Sequence, residues 1–143
     1  TFLTGYKSMK IELTFPMLPP SKLSANNRRT SHWSRQYKDS RDSNETFRIL
    51  LEQQLRDRYP DVLKDAPYEG PFSVEWRIVF PNRRKRDLDN VFGSLKGWMD
   101  QLKILWVDDS VTYVNKLCIS GSYEKEIERT DLIICTTDAN LSD

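Results

Sequence analysis

The segment with the clearest potential for chemistry is a run of four cations that leads directly into two acids. Residues 83–90 read RRKRDLDN, and no acid lies between Glu75 and Asp87. The cations are Arg83, Arg84, Lys85 and Arg86. Such cations hold phosphate groups, whereas crowded carboxylates repel one another and bind Mg²⁺, which relieves the repulsion. The segment therefore indicates a site where Asp87 and Asp89 hold a metal ion beside a phosphate.

Asp87 and Asp89 also fit a purely structural role at the start of a helix. Asp is favoured at the N-cap, and the helix dipole favours acids in the first turn. Residues two apart within a helix point in nearly opposite directions, but a cap residue and a first-turn residue can face one point. Both interpretations stay open on the sequence alone.

Asp108 and Asp109 form a second acidic doublet, at the other end of the helix predicted between the two pairs. Aspartate is common in turns, so a turn explains the doublet equally well. A helix of about 15 residues is roughly 22 Å long, so Asp109 joins the first pair only if the next strand returns it alongside.

His32, the only histidine, lies among cations and aromatic residues. Its neighbours are Arg28, Arg29, Trp33, Arg35 and Tyr37. Cations interleaved with aromatics suit phosphate contact and base stacking, while the alternative is a solvated loop anchored by its aromatic residues. Without partner residues, His32 is a poor candidate for a nucleophilic triad.

Composition restricts the class of protein. The 143 residues suffice for one domain, and 22 cations against 21 acids argue against coating nucleic acid by bulk charge. One histidine and two cysteines exclude a Cys/His zinc site, so Cys118 and Cys135 are predicted to be reduced core residues. Neither a signal peptide nor an apolar run of roughly 18 residues is present, which predicts a cytoplasmic protein without a membrane span.

The apolar pattern predicts an α+β domain with the order β-α-β-α-β-β and helices packed on a small four-stranded sheet. Predicted strands cover residues 9–15, 72–80, 111–119 and 132–135, and predicted helices cover 43–58 and 88–102. Residues 1–8 are expected to form a loose leader before a single domain over 9–143, and 21–41 a polar surface segment. The second helix is expected to bury Leu88, Val91, Phe92, Leu95, Met99 and Leu102.

Gly93 and Gly97 repeat at a spacing of four on the second predicted helix. Each costs roughly 1 kcal/mol relative to alanine in a helix interior, and such a strip allows another backbone to approach closely. A helix–helix contact in a dimer and close packing on the chain's own sheet both explain the pair.

Several of these motifs together resemble the RusA family of Holliday junction resolvases. The matching features are FPNRRKRDLDN at 80–90, a helix containing Asp100, and LWVDDS at 105–110 followed by a strand. The sequence LPPS at 18–21, with Asn26-Asn27-Arg28 nearby, resembles the family's N-terminal Pro-Pro-Ser-Asn signature with extra residues inserted. The resemblance covers most of residues 9–135.

This resemblance implies a homodimeric, Mg²⁺-dependent endonuclease of bacterial or phage origin that nicks four-way DNA junctions in recombination and repair, with Mn²⁺ as an alternative metal. The family's essential acids fall on Asp87, Asp89 and Asp109, with Asp108 as an accessory metal ligand. Residues expected to contact DNA are Arg83, Arg84, Lys85, Arg86, Arg28, Arg29, His32 and Arg35.

One departure from the family pattern bears on catalysis. The family's lysine, four residues after its second acid, falls on Gly93, and Lys96 lies seven residues after Asp89, so Lys96, Lys85 or Arg86 would have to replace it. The departure favours an alternative, a junction-binding homologue that does not cut. A third hypothesis is an interaction domain whose acids only cap and turn the chain.

Overall fold

The computed structural model describes residues 9–20, 33–106 and 113–136, with residues 33–40 and Leu88 described by their backbone alone. It shows a four-stranded sheet and three helices, which confirms the predicted α+β class. In chain order the elements are β1 (Lys10–Phe15), α1 (Trp33–Arg58), α2 (Pro60–Asp65), β2 (Phe72–Phe80), α3 (Leu88–Gln101), a 3₁₀ turn (Leu102–Ile104), β3 (Val114–Tyr123) and β4 (Arg129–Thr136).

The sheet has the strand order β1-β4-β2-β3, so β1 and β3 are its two edges. β4 pairs antiparallel with both β1 and β2, whereas β3 pairs parallel with β2. A parallel pair needs a crossover connection, and α3 lies within it. Because the pair is parallel, β3 begins beside the first residue of β2, where Val114 pairs with Phe72.

A cluster of large aromatic side chains holds the helices on one face of the sheet. The Phe47 ring of α1 stacks on the Trp98 ring of α3 with centroids 4.7 Å apart, and Phe15 of β1 lies 4.5 Å from Phe47. Two of the three fully buried indoles have partners: Trp98 Nε1 donates to Ser43 Oγ at 3.1 Å, and Trp76 Nε1 donates to the thioether of Met99 at 3.2 Å. Trp106 Nε1 has no hydrogen-bond partner among the described residues. Trp76, Trp98 and Trp106 are fully buried and pack in the core.

α1 begins at Trp33, ten residues before the predicted start, so the C-terminal part of the polar segment is helical. Helix growth adds one hydrogen bond per residue once a nucleus exists, so a polar stretch without apolar periodicity can extend a helix anchored by a buried part. That anchor is formed by Phe47, Leu51 and Leu55, which are fully buried.

Three smaller expectations are also corrected. Phe92, predicted to be buried, is 39% exposed, and Cys118, predicted to be a core residue, is exposed on β3. β3 extends beyond its predicted end to Tyr123, because the reversal into β4 falls at Glu126, which adopts a φ of 63°. No helix in the described ranges has the length and apolar character required to cross a membrane. The expected leader over residues 1–8 lies outside the described residues.

Candidate functional site

The basic loop (residues 81–87) connects the end of β2 to the start of α3. Its entry is fixed by the turn between β3 and β4: Glu124 N donates to Phe80 O at 3.0 Å, and Glu126 N donates to Pro81 O at 3.1 Å. Pro81 cannot continue the strand ladder as a donor, so β2 ends here. The loop is therefore held at the carboxyl end of the central strand β2.

Arg86 folds back onto its own loop. Its Nη1 donates to the carbonyls of Asn82 and Arg84 at 3.1 and 2.9 Å, and its Nη2 donates to Asn82 Oδ1 at 2.9 Å. The guanidinium lies 4.0 Å from the centroid of the Phe80 ring. Burial lowers the pKa of Arg86 from its usual value, and repulsion from Arg84 lowers it further, yet a guanidinium stays charged in proteins. Arg86 therefore shapes the loop as well as adding charge.

The side chains of the other three cations take no part in these hydrogen bonds. The Arg83 guanidinium lies 4.6 Å from the centroid of the Tyr123 ring at the end of β3. Arg84 and Lys85 are exposed, and within the described part of the chain their charged groups make no ion pair. Arg84 and Lys85 are thus the cations most available to an external phosphate.

Asp87 is the N-cap of α3, which confirms the structural role weighed from the sequence. Its backbone is extended, and its Oδ1 accepts a hydrogen bond from Asp89 N at 3.1 Å. Both carboxylates are exposed, and no other side-chain hydrogen bond or ion pair of either acid occurs among the described residues. Since a carboxylate has two oxygens, the cap leaves Asp87 with a free oxygen and leaves the whole Asp89 carboxylate free.

A cleft of about 760 Å³ opens between the basic loop, the start of α3 and the residues that follow β1. It is lined by the apolar side chains of Leu18, Pro19, Ile78, Phe80, Pro81 and Val91, and by Asn82, Arg84, Lys85, Arg86, Asp87, Asn90, Ser94 and Glu128. The cleft therefore brings together two of the motifs on which the resemblance rests, around Pro19 and around Asp87. Asp89 is exposed beside the cleft and is not part of its lining.

Glu128 and Asn90 line the cleft but were not among the predicted site residues. Asn90 directly follows Asp89, so the RRKRDLDN motif itself was a signal for it. Glu128 comes from the turn before β4, about forty residues later, and nothing in its local sequence distinguishes it from other surface acids. The pairing of both β3 and β4 with β2 places that turn beside the basic loop.

The donor set fits a hard cation, although it is incomplete in this part of the chain. Asp87 and Asp89 offer carboxylate oxygens, which Mg²⁺ prefers, and it usually keeps several waters as further ligands. Within residues 9–20, 33–106 and 113–136, no three His, Cys, Asp or Glu side chains lie close enough to form a metal-binding group. Any carboxylate ligand beyond Asp87 and Asp89 would therefore have to come from outside these residues.

Several predicted site residues cannot be placed. Asp108, Asp109, Arg28, Arg29 and His32 lie outside the described residues, and Arg35 lies on α1 with only its backbone described. Asp109 can join Asp87 and Asp89 within one chain only if the strand after α3 returns it to them. β3 instead begins beside Phe72, and Phe72 N donates to Tyr113 O at 2.7 Å, at the end of β2 opposite the basic loop.

The glycine pair and Lys96 lie along α3 behind the acids. A Cβ on Gly97 would collide with the side-chain amide of Asn44 on α1, so Gly97 permits close helix packing within the chain. A Cβ on Gly93 would have no atom within 4 Å. Lys96 is exposed and lies two helical turns beyond Asp89. The position of the expected family lysine is therefore open space.

Known proteins do not identify the chain by sequence: no protein-family model matches it, and no curated protein matches it.

Proposed function

We propose that this chain is a Mg²⁺-dependent endonuclease that nicks four-way DNA junctions in recombination and repair, in the manner of RusA-type resolvases. The observation that carries the proposal is the shared cleft of Asp87 with Arg84 and Lys85, two exposed cations without a partner in the described chain. Such an enzyme would act on DNA in the cytoplasm, whether encoded by a bacterium or a phage.

The groups in the cleft and on the adjoining part of α3 have complementary roles in this proposal. Arg84 and Lys85 hold a backbone phosphate, while Arg86 keeps the loop in the shape that presents them. Asp87 and Asp89 would hold Mg²⁺, with Mn²⁺ as a substitute, beside that phosphate. The chemistry that the metal would supply there is activation of a water for attack and stabilisation of the charge that develops on the phosphate. Lys96 is the candidate for a further cation, contributed from the exposed face of α3.

The third acid is best supplied by a second copy of the chain. β3 starts at the end of β2 that lies away from Asp87 and Asp89, and nine residues of strand span roughly 26 Å. We therefore propose that Asp109, with Asp108 as an accessory ligand, completes the metal site of the partner in a homodimer. A four-way junction has two-fold symmetry, which a two-fold dimer matches with a pair of sites.

A junction-binding protein that does not cut is the second candidate. Gly93 favours it, because this position lacks a side chain and the space around it is open. The exposed acid pair favours the nuclease instead, since two uncompensated carboxylates beside a phosphate would weaken binding unless a cation lies between them. An interaction domain without DNA binding is the third candidate, and it explains Asp87 as a cap but leaves Arg84 and Lys85 without a role.

A single assay separates the three candidates. A labelled four-way junction is incubated with the protein in Mg²⁺ or in EDTA, with a linear duplex of the same sequence as the control. The nuclease predicts paired nicks in the junction with Mg²⁺, none with EDTA, and far less cutting of the duplex. Retarded junction without nicks would instead support the binding homologue, and neither retardation nor nicks would support the interaction domain.

A further inference from the structure

The two edge strands of the sheet, β1 and β3, differ in how side chains of the described residues cover their outer edges. On β1, the side chain of Gln54 bonds both backbone groups of Thr14: Thr14 N donates to Oε1 at 3.2 Å, and Nε2 donates to Thr14 O at 2.9 Å. Tyr59 Oη accepts from Glu12 N at 3.1 Å and donates to Glu12 O at 3.5 Å. α1 and the residue after it therefore close this edge to another strand.

Among the described residues, the outer edge of β3 has no such cover. Within the described part of the chain, no side chain or further strand bonds to it. Two of its apolar side chains are also open to solvent, Leu117 at 39% and Tyr123 at 40%. They pair with Val74 and Phe80 of β2 and so lie on the helix-bearing face. An unprotected edge with exposed apolar groups is a template for strand addition.

We infer that β3 pairs antiparallel with β3 of a second copy, around a two-fold axis at Ser120, to form a continuous eight-stranded sheet. Residues equally far from Ser120 on either side then lie opposite each other and on the same face. Leu117 meets the partner's Tyr123, so each exposed apolar side chain covers the other. The stretch required is regular, because Lys116 to Tyr123 pair one-to-one with β2 and the irregularity lies before Lys116.

Charge complementarity favours this register, and it favours a second copy of the chain as the partner of β3. Lys116 is the only charged residue of β3, and in this register it lies opposite the partner's Glu124, the first residue after the strand. The Glu124 side chain is 58% exposed, and its ion pair with Arg129 is long, at 3.9 Å. Glu124 can therefore engage a closer cation. An axis at Lys116 would instead set two lysines against each other, which destabilises a strand pair. The edge is thus complementary to itself.

Cysteine cross-linking tests the register directly, and it does not depend on nuclease activity. Cys118→Ser removes the native thiol of the strand, and Ser120→Cys then places one thiol on the axis. Opposed residues of antiparallel strands have Cα atoms about 4.5–5.5 Å apart, within the range for a disulfide. The matched control, Cys118→Ser with Ser122→Cys, puts its thiol on the same exposed face, but roughly 13 Å from its counterpart.

The expected result is a covalent dimer of the Ser120→Cys protein on a non-reducing gel after mild oxidation, with the Ser122→Cys protein remaining monomeric. Equal cross-linking of both, or of the control alone, would overturn the register. A purified wild-type chain that sediments as a monomer at tens of micromolar, or a β3 edge found occupied by a different protein, would overturn the homotypic pairing.

A charge swap gives a second readout. Lys116→Glu faces the partner's Glu124 with a like charge at both ends of the interface and should weaken dimerisation by roughly three- to thirtyfold. Adding Glu124→Lys to it should restore the wild-type dissociation constant in sedimentation equilibrium. If the double variant were as weak as the single one, the two residues would not be opposed.

Discussion

At the scale of single residues, Asp87 has two roles, and each role uses a different oxygen of its carboxylate. One carboxylate oxygen caps α3 through Asp89 N, and the other is free for a cation. Because the cap does not use both oxygens, the start of α3 is stabilised before any metal binds. The two roles can be tested apart because asparagine caps a helix as well as aspartate does but carries no charge.

We predict that Asp87→Asn unfolds in urea at nearly the wild-type midpoint, whereas Asp87→Ala loses about 1 kcal/mol of the free energy of unfolding. Both variants should lose Mg²⁺-dependent nicking, because both lack the charged oxygen. If the asparagine variant were as unstable as the alanine variant, the cap would not be the structural role of Asp87.

The cations of the basic loop should also divide into two groups. Arg84→Ala removes an exposed cation, so junction binding should weaken and its salt dependence should fall by about one unit of slope, with stability unchanged. Arg86→Ala removes three hydrogen bonds and the contact with Phe80, so it should lower the unfolding midpoint as well. Binding isotherms across a salt series, paired with urea unfolding, measure both. An Arg84→Ala variant with unchanged salt dependence would leave that cation a solvated group.

At the scale of elements, α3 is the part on which the site depends, because it carries the acids at its start and packs on α1 through Gly97. The two glycines have different surroundings: a Cβ at Gly97 would collide with Asn44 of α1, whereas a Cβ at Gly93 would meet no atom within 4 Å. Replacing each by alanine therefore isolates packing from helix propensity.

Gly93→Ala should stabilise the protein by up to about 1 kcal/mol, the propensity difference between the two residues. Gly97→Ala should gain less than this or destabilise, since its methyl group forces the Asn44 amide to move and overpacking costs roughly 1–3 kcal/mol. Urea unfolding of the two variants in parallel makes the comparison. Equal stabilisation would show that α1 and α3 do not approach closely at Gly97.

At the scale of the whole molecule, the elements with strong local periodicity were predictable from the sequence. Alternation over residues 72–80 gave β2 with the bounds that the structure shows, and the acid before an apolar stripe gave the start of α3 at Leu88. Local sequence patterns did not predict burial where contacts between elements determine it. The apolar periodicity that includes Phe92 and Leu117 does not reveal that neighbouring elements leave both partly uncovered.

The candidate site was predictable only in its local part. The neighbourhood of Arg84, Lys85, Asp87 and Asp89 follows from adjacency in the chain. The contribution of Glu128 depends on the pairing of β4 with β2, and the fold-back of Arg86 depends on side-chain hydrogen bonds that no spacing rule encodes. Likewise, the strand order that separates the start of β3 from the acids is a property of the assembled sheet.

If the acid pair holds a metal for cutting DNA, Asp89→Asn should remove that activity, and Asp100→Asn is the matched control. Both residues are exposed acids on α3, but Asp100 lies at its other end. In a four-way junction assay with Mg²⁺, Asp89→Asn should abolish nicking while keeping or tightening junction binding, because it removes negative charge beside a phosphate. Asp100→Asn should cut at the wild-type rate. An Asp89→Asn protein that nicked the junction as fast as the wild type would show that Asp89 holds no metal required for cutting.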